Sequence, residues 1–599
     1  MTSGVNEFAI KIATANGTGS GSANSLIMQA IFRMGIPVTG KNLFPSNIQG
    51  LPTWYEIRVN KDGYTGRTPT FDFMVALNNA TYAKDVAEVK SGGYLLYDST
   101  WPFSEELRRP DVTYIGVPLA EMCNLSFKGV RERILMKNIA YAGALAALLN
   151  IDPDIIVELT QEKYSKKQSL LESNRRAIAL GFDYVKAHFD CPLPVRLEKM
   201  DATKDSILID GNTAASLGCV FAGATVGAWY PITPSTSLME GFTNFCRRYR
   251  VDTVTKRRKY AILQAEDELS AIGMVIGASW AGARAFTPTS GPGISLMSEF
   301  IGLAYYAEVP AVIFDVQRTG PSTGMPTRTQ QGDIMMCAYA SHGDTKHICL
   351  YPADPHEAFE MAVKAFDLAE RYQTPVFVLS DLDIGMNDWM IPKLKWDDSY
   401  RPDRGKVLSS EELDAATSFF RYLDVDGDGV PYRTVPGVNP KGAYFTRGSG
   451  HNQYGAYTED SDEYQEVLDR IAAKVKGSAK SVTPPAFKRK IGAKTGIVTV
   501  GGCHGACVEA LDRMAAEGIV HDYMRIRGFP FDDDVREFLE MHETNYVVEQ
   551  NRDGQLRSLL MLETGVSGHK LESIRYYSGL PLSAQVVISA VKEKQRRAA

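Results

Sequence analysis

The sequence lacks the clustered features that announce the common metal, membrane and nucleic-acid proteins. Its eight cysteines, Cys123, Cys191, Cys219, Cys246, Cys337, Cys349, Cys503 and Cys507, are scattered. Only Cys503 and Cys507 lie close together, with CxxxC spacing, so neither a zinc site nor a ferredoxin-type cluster fits. No uninterrupted apolar run reaches the roughly 18 to 20 residues of a membrane helix. The net charge is only −6, which gives no support to a nucleic-acid surface. The opening residues, Met1-Thr-Ser-Gly-Val-Asn-Glu7, do not read as a signal peptide. The expected location is the cytoplasm.

What is present is an α/β rhythm. At 599 residues, 44% apolar and 23% charged, the chain is too long for one core and predicts about three to four domains. Phe8–Ala13 reads as a buried strand running into Asn16-Gly-Thr-Gly-Ser-Gly-Ser22 and then a helix from Ala23 to Met34. That is the layout of a phosphate-binding turn, although many such turns only pack tightly. Asn42, Ser46, Asn47 and Gln49 follow in a Pro- and Gly-rich loop, before a strand at Tyr55–Val59. Strands and helices then alternate to about Phe189, and Pro192 to Asp205 reads as a linker. Ile207–Ile209 is expected to open a second unit.

The most unusual stretch is Gly227-Ala-Trp-Tyr-Pro-Ile-Thr-Pro-Ser-Thr-Ser237. Pro231 and Pro234 bracket Ile232 and Thr233. Proline fixes its own φ and restricts the residue before it, so Thr233 is expected on a rigid loop. Ser235, Thr236 and Ser237 are placed to cap a helix starting near Leu238. A hydroxyl-rich loop at a helix N-terminus suits a polar or anionic ligand; equally, it can be a capped loop without one. Three more stretches combine charge or hydroxyls with permissive backbone: Gln264-Ala-Glu-Asp-Glu268, Thr287-Pro-Thr-Ser-Gly-Pro-Gly293 and Gln317-Arg-Thr-Gly-Pro-Ser-Thr-Gly-Met-Pro-Thr-Arg328. Arg318 after a strand end can grip a carboxylate with two parallel hydrogen bonds, or pair with Asp315 or Asp333. Asp267 and Glu268 read as a solvated helix start.

YPITPSTS, TPTSGPG, RTGPSTGMPT and the later Val547-Val-Glu-Gln-Asn-Arg-Asp-Gly-Gln-Leu556 together resemble the 2-oxoacid:ferredoxin oxidoreductases. The resemblance is to the alpha subunit with a fused amino-terminal gamma domain, most nearly in the 2-oxoglutarate enzyme. It implies three α/β domains: a gamma domain (1–195), a domain binding the pyrimidine of thiamine diphosphate (206–385) and a transketolase-C-terminal-like domain (486–599), with an irregular connector (386–485). The family's GxGGQG loop is here GTGSGS, without its Gln. In the connector, Asp424, Asp426 and Asp428 imitate an EF-hand opening, but Val435 stands at the twelfth position, so the calcium loop is incomplete. We read them as an Asx-rich turn, with or without a structural cation. The same Gly-Asp-Gly imitates the opening of a thiamine-diphosphate magnesium motif, but no Asn-Asn follows. Cys503, at a helix start, is a candidate reactive thiol or a packed turn.

The resemblance implies site roles. Tyr230, Pro231, Ile232, Thr233, Ser290 and Gly291 would line the cofactor ring. Glu266, in a Gln-x-Glu context, would hydrogen-bond N1′ of the aminopyrimidine and promote formation of the carbon nucleophile; we prefer it to Glu268. Thr233 and Arg318 would hold the substrate. A separate beta subunit would supply the diphosphate grip, Mg²⁺ and a [4Fe-4S] cluster, in an alpha2beta2 assembly that uses coenzyme A and reduces ferredoxin. The implied reaction converts 2-oxoglutarate to succinyl-CoA and CO₂, reversibly. Branched-chain or aryl 2-oxoacids are the chemical alternative, and a non-catalytic nucleotide- or coenzyme-A-binding protein is the alternative of another class.

Overall fold

The computed structural model describes residues 4–46 and 50–598; Asn47 and Gln49, singled out above, lie outside the described residues. The chain forms two compact units. One comprises residues up to Ile209 with Asn387–Lys393 and Ser583–Gln585, and the other holds the remainder.

The first unit is built on a six-stranded sheet of order β2-β3-β1-β4-β5-β6. Its strands are β1 (Glu7–Ala15), β2 (Val38–Leu43), β3 (Pro52–Asn60), β4 (Phe71–Ala76), β5 (Val89–Asp98) and β6 (Thr113–Val117). β1, β4, β5 and β6 run parallel, and β3 runs antiparallel to β1. The apolar runs predicted as strands are these, because burial on both faces selects continuous hydrophobic segments. Helices Val130–Leu149 and Gln168–His188 pack tightly beside them. A Cβ at Gly143 would lie 2.0 Å from the Ile178 carbonyl oxygen, and one at Gly181 1.9 Å from that of Ala140. Glycine at both positions is therefore what lets the helices approach. The predicted linker ends in β7 (Ser206–Ile209). This strand stays with the first unit instead of opening the second, because it pairs with a strand that returns much later.

The second unit begins with helix Gly211–Phe221 and carries a seven-stranded sheet of order β18-β12-β13-β11-β10-β8-β9. β8 (Val226–Trp229), β9 (Ala261–Gln264), β10 (Ala285–Thr289), β11 (Ala311–Gln317), β12 (Ile348–Leu350) and β13 (Pro375–Asp381) are parallel. β14 (Trp389–Pro392) returns to pair with β7. The carboxy-terminal sheet has the order β15-β17-β16-β19-β20, from β15 (Ala486–Lys488), β16 (Thr495–Val500), β17 (Asp522–Ile526), β19 (Thr544–Glu549) and β20 (Leu571–Arg575). The short β18 (Gly528–Phe529) joins the seven-stranded sheet antiparallel to β12.

The connector is less irregular than its composition suggests. It contains an amphipathic helix, Ser461–Gly477, capped by Asp460. Arg470 and Lys474 on that helix close on Glu308, a fully buried carboxylate, at 2.5 and 2.7 Å. Arg421 donates to the Glu308 carbonyl at 2.6 Å. Among the described residues no helix is long and apolar enough to cross a membrane.

Candidate active site

The parallel sheet explains how four stretches far apart in sequence come together. Tyr230 follows β8, Glu266 follows β9, Ser290 follows β10 and Arg318 follows β11. These strands are neighbours, in the order β11-β10-β8-β9. In a parallel sheet all their carboxyl ends lie along one edge, where open α/β sheets gather ligand-binding loops.

The β8 loop is rigid, but not through the expected capping. The helix begins at Thr236, two residues early, and its N-cap Ser235 makes no side-chain cap bond. The Ser235 and Thr236 hydroxyls instead donate back to the Ile232 carbonyl, at 3.0 and 3.2 Å. The Ser237 hydroxyl accepts from Asn212 Nδ2 at 2.9 Å, and the same nitrogen donates to the Pro234 carbonyl at 2.8 Å. Tyr230 and Pro231 are exposed, and Ile232 and Thr233 half-buried. Arg318 Nη1 donates to the Thr233 carbonyl at 2.7 Å, so two of the residues chosen from the sequence are in direct contact.

The β9 loop separates two carboxylates that the sequence left in competition. Glu266 is exposed, at a bend. Asp267 caps helix Glu268–Trp280 through the Ser270 N–H, at 2.7 Å, as a helix start should. Glu268 is expected with it at a solvated start, yet it is buried: as the first residue of that helix it faces inward. It faces the first turn of helix Gly291–Tyr306. A Cβ at Gly293 would come within 2.9 Å of Glu268 Cγ and 2.0 Å of Thr289 Oγ1.

Ser290 caps that helix by position only; its hydroxyl is buried and without a partner. Thr287 Oγ1, Asp315 Oδ1, Arg318 Nε, Thr329 Oγ1 and Asp333 Oδ2 are unpartnered too. Such a concentration of unsatisfied groups beside one cluster of loops is uncommon and marks a functional region. Arg318 and Gly291 border a cavity of about 760 Å³, walled also by Asp333, Asn551, Arg552 and Tyr577. Burial pushes Asp333 up to about 6, and burial with the Asp333 charge raises Asp315 well above the ordinary carboxylate range.

Sequence reasoning missed the clasp that holds this region. Gln331 Nε2 donates to the Val500 carbonyl at 2.8 Å, while its Oε1 accepts from the Gln550 N–H at 3.0 Å. Asn551 Nδ2 donates to the Gln331 carbonyl at 3.0 Å. Gln555 bonds both the Gly332 carbonyl (2.6 Å) and the Met335 N–H (3.1 Å). The Glu549–Leu556 motif thus turns inward onto the Arg318 loop. A polar run, Thr329-Gln-Gln331, after the apolar β11 was the available signal.

Two further candidates are placed. Asp424, Asp426 and Asp428 offer carboxylate oxygens within 4.8 Å of one another, and Lys406 Nζ already bonds two of them, Asp426 at 2.5 Å and Asp428 at 2.8 Å, and the Val430 carbonyl at 2.9 Å. Cys503 is buried and its thiol is pushed well above the usual range by that burial, so the packed-turn reading holds.

The chain is similar to known proteins over most of its length. A family model described as pyruvate flavodoxin/ferredoxin oxidoreductase, thiamine diphosphate-binding, matches residues 217–413. One described as pyruvate ferredoxin/flavodoxin oxidoreductase matches residues 9–184. The alpha subunit of 2-oxoacid:ferredoxin oxidoreductase 2 from Aeropyrum pernix is 29% identical over 98% of this chain and 97% of its own. The 2-oxoglutarate synthase subunit KorA of Methanothermobacter thermautotrophicus is 32% identical over 58% of this chain and 88% of its own. The solved 2-oxoglutarate:ferredoxin oxidoreductase of Magnetococcus marinus, with 2-oxoglutarate, coenzyme A and succinyl-CoA bound, superimposes with a TM-score of 0.88 at 29% identity, over 98% of this chain and 99% of that one. From its converging strand-end loops to these full-length matches, the chain belongs to the 2-oxoacid:ferredoxin oxidoreductase family.

Proposed function

We propose that this chain is the catalytic alpha subunit, with a gamma domain fused ahead of it, of an enzyme that oxidatively decarboxylates 2-oxoglutarate. Coenzyme A receives the acyl group to give succinyl-CoA, CO₂ leaves, and the electrons pass to ferredoxin; the reaction is reversible. The observation that carries this reading is the hydrogen bond from Arg318 to the Thr233 loop at the shared edge of β8, β10 and β11. Domain limits of 1–195, 206–385 and 486–599, and a cytoplasmic location, belong to the same proposal.

The residues suit the ring end of thiamine diphosphate. Gly291 and Gly293 let the helix start press against Asp333, Thr289 and the buried Glu268, where a Cβ would collide with them, and Gly291 also borders the cavity. When bound, the cofactor supplies a nucleophilic carbon and an electron sink for decarboxylation. We assign the carboxylate that holds a proton at ring N1′ to Glu268 in place of Glu266, because Glu266 stands in solvent. Tyr230, Pro231, Ile232, Ser290 and Gly291 frame the ring. The Arg318 guanidinium meets the substrate carboxylate, and the Thr233 hydroxyl meets its 2-oxo oxygen. A partner beta subunit holds the diphosphate, Mg²⁺ and the [4Fe-4S] cluster in an alpha2beta2 complex. The Lys406 ammonium in the Gly-Asp-Gly loop supports that division.

The names of the Methanothermobacter and Magnetococcus proteins favour 2-oxoglutarate; branched-chain and aryl 2-oxoacids are the alternative. The test is coenzyme-A-dependent viologen or ferredoxin reduction by the copurified complex across a panel of 2-oxoacids. Glu268→Gln is expected to lose roughly 10²-fold or more in kcat, and Glu266→Gln to stay within about threefold. The reverse ranking would return the role to Glu266. Preference for a branched or aryl acid would overturn the substrate, and inactivity of a fully loaded complex would favour the nucleotide- or coenzyme-A-binding reading.

A further inference from the structure

Two buried carboxylates behind Arg318 have no part in the assignments above. Asp315 is the one charged residue of β11 and is fully buried. Asp333 lines the cavity. The short helix Ile334–Ala338 ties them together: the Cys337 N–H donates to the Asp333 carbonyl at 2.9 Å, and the Cys337 thiol reaches Asp315 Oδ2 at 3.6 Å. Gln317 Oε1 accepts from the Asp333 N–H at 3.0 Å. Asp315 Oδ1 and Asp333 Oδ2 are both buried without a partner, and the two carboxyls lie close enough to act on each other directly. Arg318 is near enough to feel the Asp333 charge but donates to Thr233 and leaves Nε without an acceptor.

Two neighbouring carboxylates buried in a low-dielectric interior do not both ionise near neutrality. We infer that Asp315 and Asp333 share a single proton, and that the pair, held together by that proton, leaves Arg318 as the docking cation for an anionic substrate. Asp333 is then a positioning residue that acts through Arg318. This inference rests on the reading that Arg318 meets the 2-oxoacid carboxylate.

The other groups facing the pair do not change its balance near neutrality. The Cys337 and Cys349 thiols, on the far side of Asp315, are pushed up by burial and stay neutral. Glu268 lies beyond Arg318, and across the cavity Arg552 is paired with Asp553 at 2.7 Å. Asp333, raised by burial to about 6, therefore takes up a second proton as pH falls through that value. The pair becomes neutral, and Arg318 attracts the substrate more strongly.

Infrared spectra of the complete alpha–beta complex test this. A protonated-carboxyl stretch is expected at neutral pH, displaced when 2-oxoglutarate saturates the site, lost in Asp315→Asn and shifted but retained in Asp333→Asn. Absence of the band, its survival in Asp315→Asn, or an unshifted band in Asp333→Asn overturns the inference. KM then separates positioning from mere packing. In the wild type it falls as pH is lowered from about 7.5 to about 5.5, with a limiting slope of tenfold per pH unit. In Asp333→Asn it stays low and flat, and in Asp315→Asn, whose amide can still donate to Asp333, it stays high and flat; kcat changes by less than about threefold in each. Parallel KM profiles in all three proteins overturn the inference. Where an asparagine variant fails to assemble, Cys337→Ala decides: loss of the thiol at Asp315 shifts the band, and an unmoved band counts against the pair. If the complex prefers another 2-oxoacid, the substrate reading falls, while the band and the KM profile measured with that acid still judge the pair.

Discussion

Glu308, three residues before β11, and Asp315, within it, are both fully buried carboxylates, yet the fold treats them in opposite ways. Glu308 is surrounded by cations. Burial opposes its ionisation, but Lys474 and Arg470 outweigh that cost and hold the carboxyl well below the ordinary range. Lys474, itself fully buried, is pushed down to about 8 by its own burial. Asp315 has a thiol and another carboxyl for company, and no cation is in contact with it. The first arrangement is a bolt that fastens the connector helix beneath the sheet. The second leaves polar capacity unsatisfied, which costs stability unless the site uses it. Compensation of charge thus separates the part of the sheet that holds the molecule together from the part that borders the cavity.

The comparison can be broken most severely at Glu308. Glu308→Gln leaves Arg470 and Lys474 buried without their anion, and unfolding in urea should show a loss of roughly 3–5 kcal/mol. A change comparable to that of Asp315→Asn would erase the contrast. Arg318→Lys sharpens the other side: the charge survives but the two-pronged grip is lost. KM for the 2-oxoacid should rise about tenfold or more, with the unfolding midpoint little changed. A shifted midpoint with unchanged KM would make Arg318 a structural residue. The smallest effect is expected at the exposed Asp-rich loop, where Lys406 already neutralises Asp426 and Asp428. Millimolar calcium should leave the wild-type melting temperature unmoved, while Lys406→Met should make it respond to calcium. A response in the wild type would show that the ammonium does not hold the loop.

The sequence made Arg318 and the Thr233 loop legible because unusual residues sit where predicted strands end. The buried strands were readable for a similar reason: AVIFDVQ and TGIVTV have few other places to go in a folded chain. Asp315 was visible in that first run as a lone acid among apolar residues, and only its pairing with Asp333 gives it meaning, since a shared proton depends on tertiary contact. The choice between Glu266 and Glu268 turned on where a helix starts. Glu266 lies two residues before the helix and is exposed, while Glu268 opens it and is buried, and which way a helix's first side chains point is not written in the pattern. Helix Ser461–Gly477 was hidden by the Asp- and Gly-rich turns around it.

The Gln331 clasp has a consequence for the order in which this polypeptide becomes competent. Its side-chain amide is satisfied by the Val500 carbonyl, 169 residues further along, and by the backbone of Gln550. While the ribosome is still making the carboxy-terminal sheet, the segment carrying Arg318 has no template to settle on. A truncated or stalled product would therefore keep the loops after β8, β9 and β10 but lack a settled Arg318 loop. On the role proposed for Arg318, turnover then waits until the last strands have been synthesised and folded.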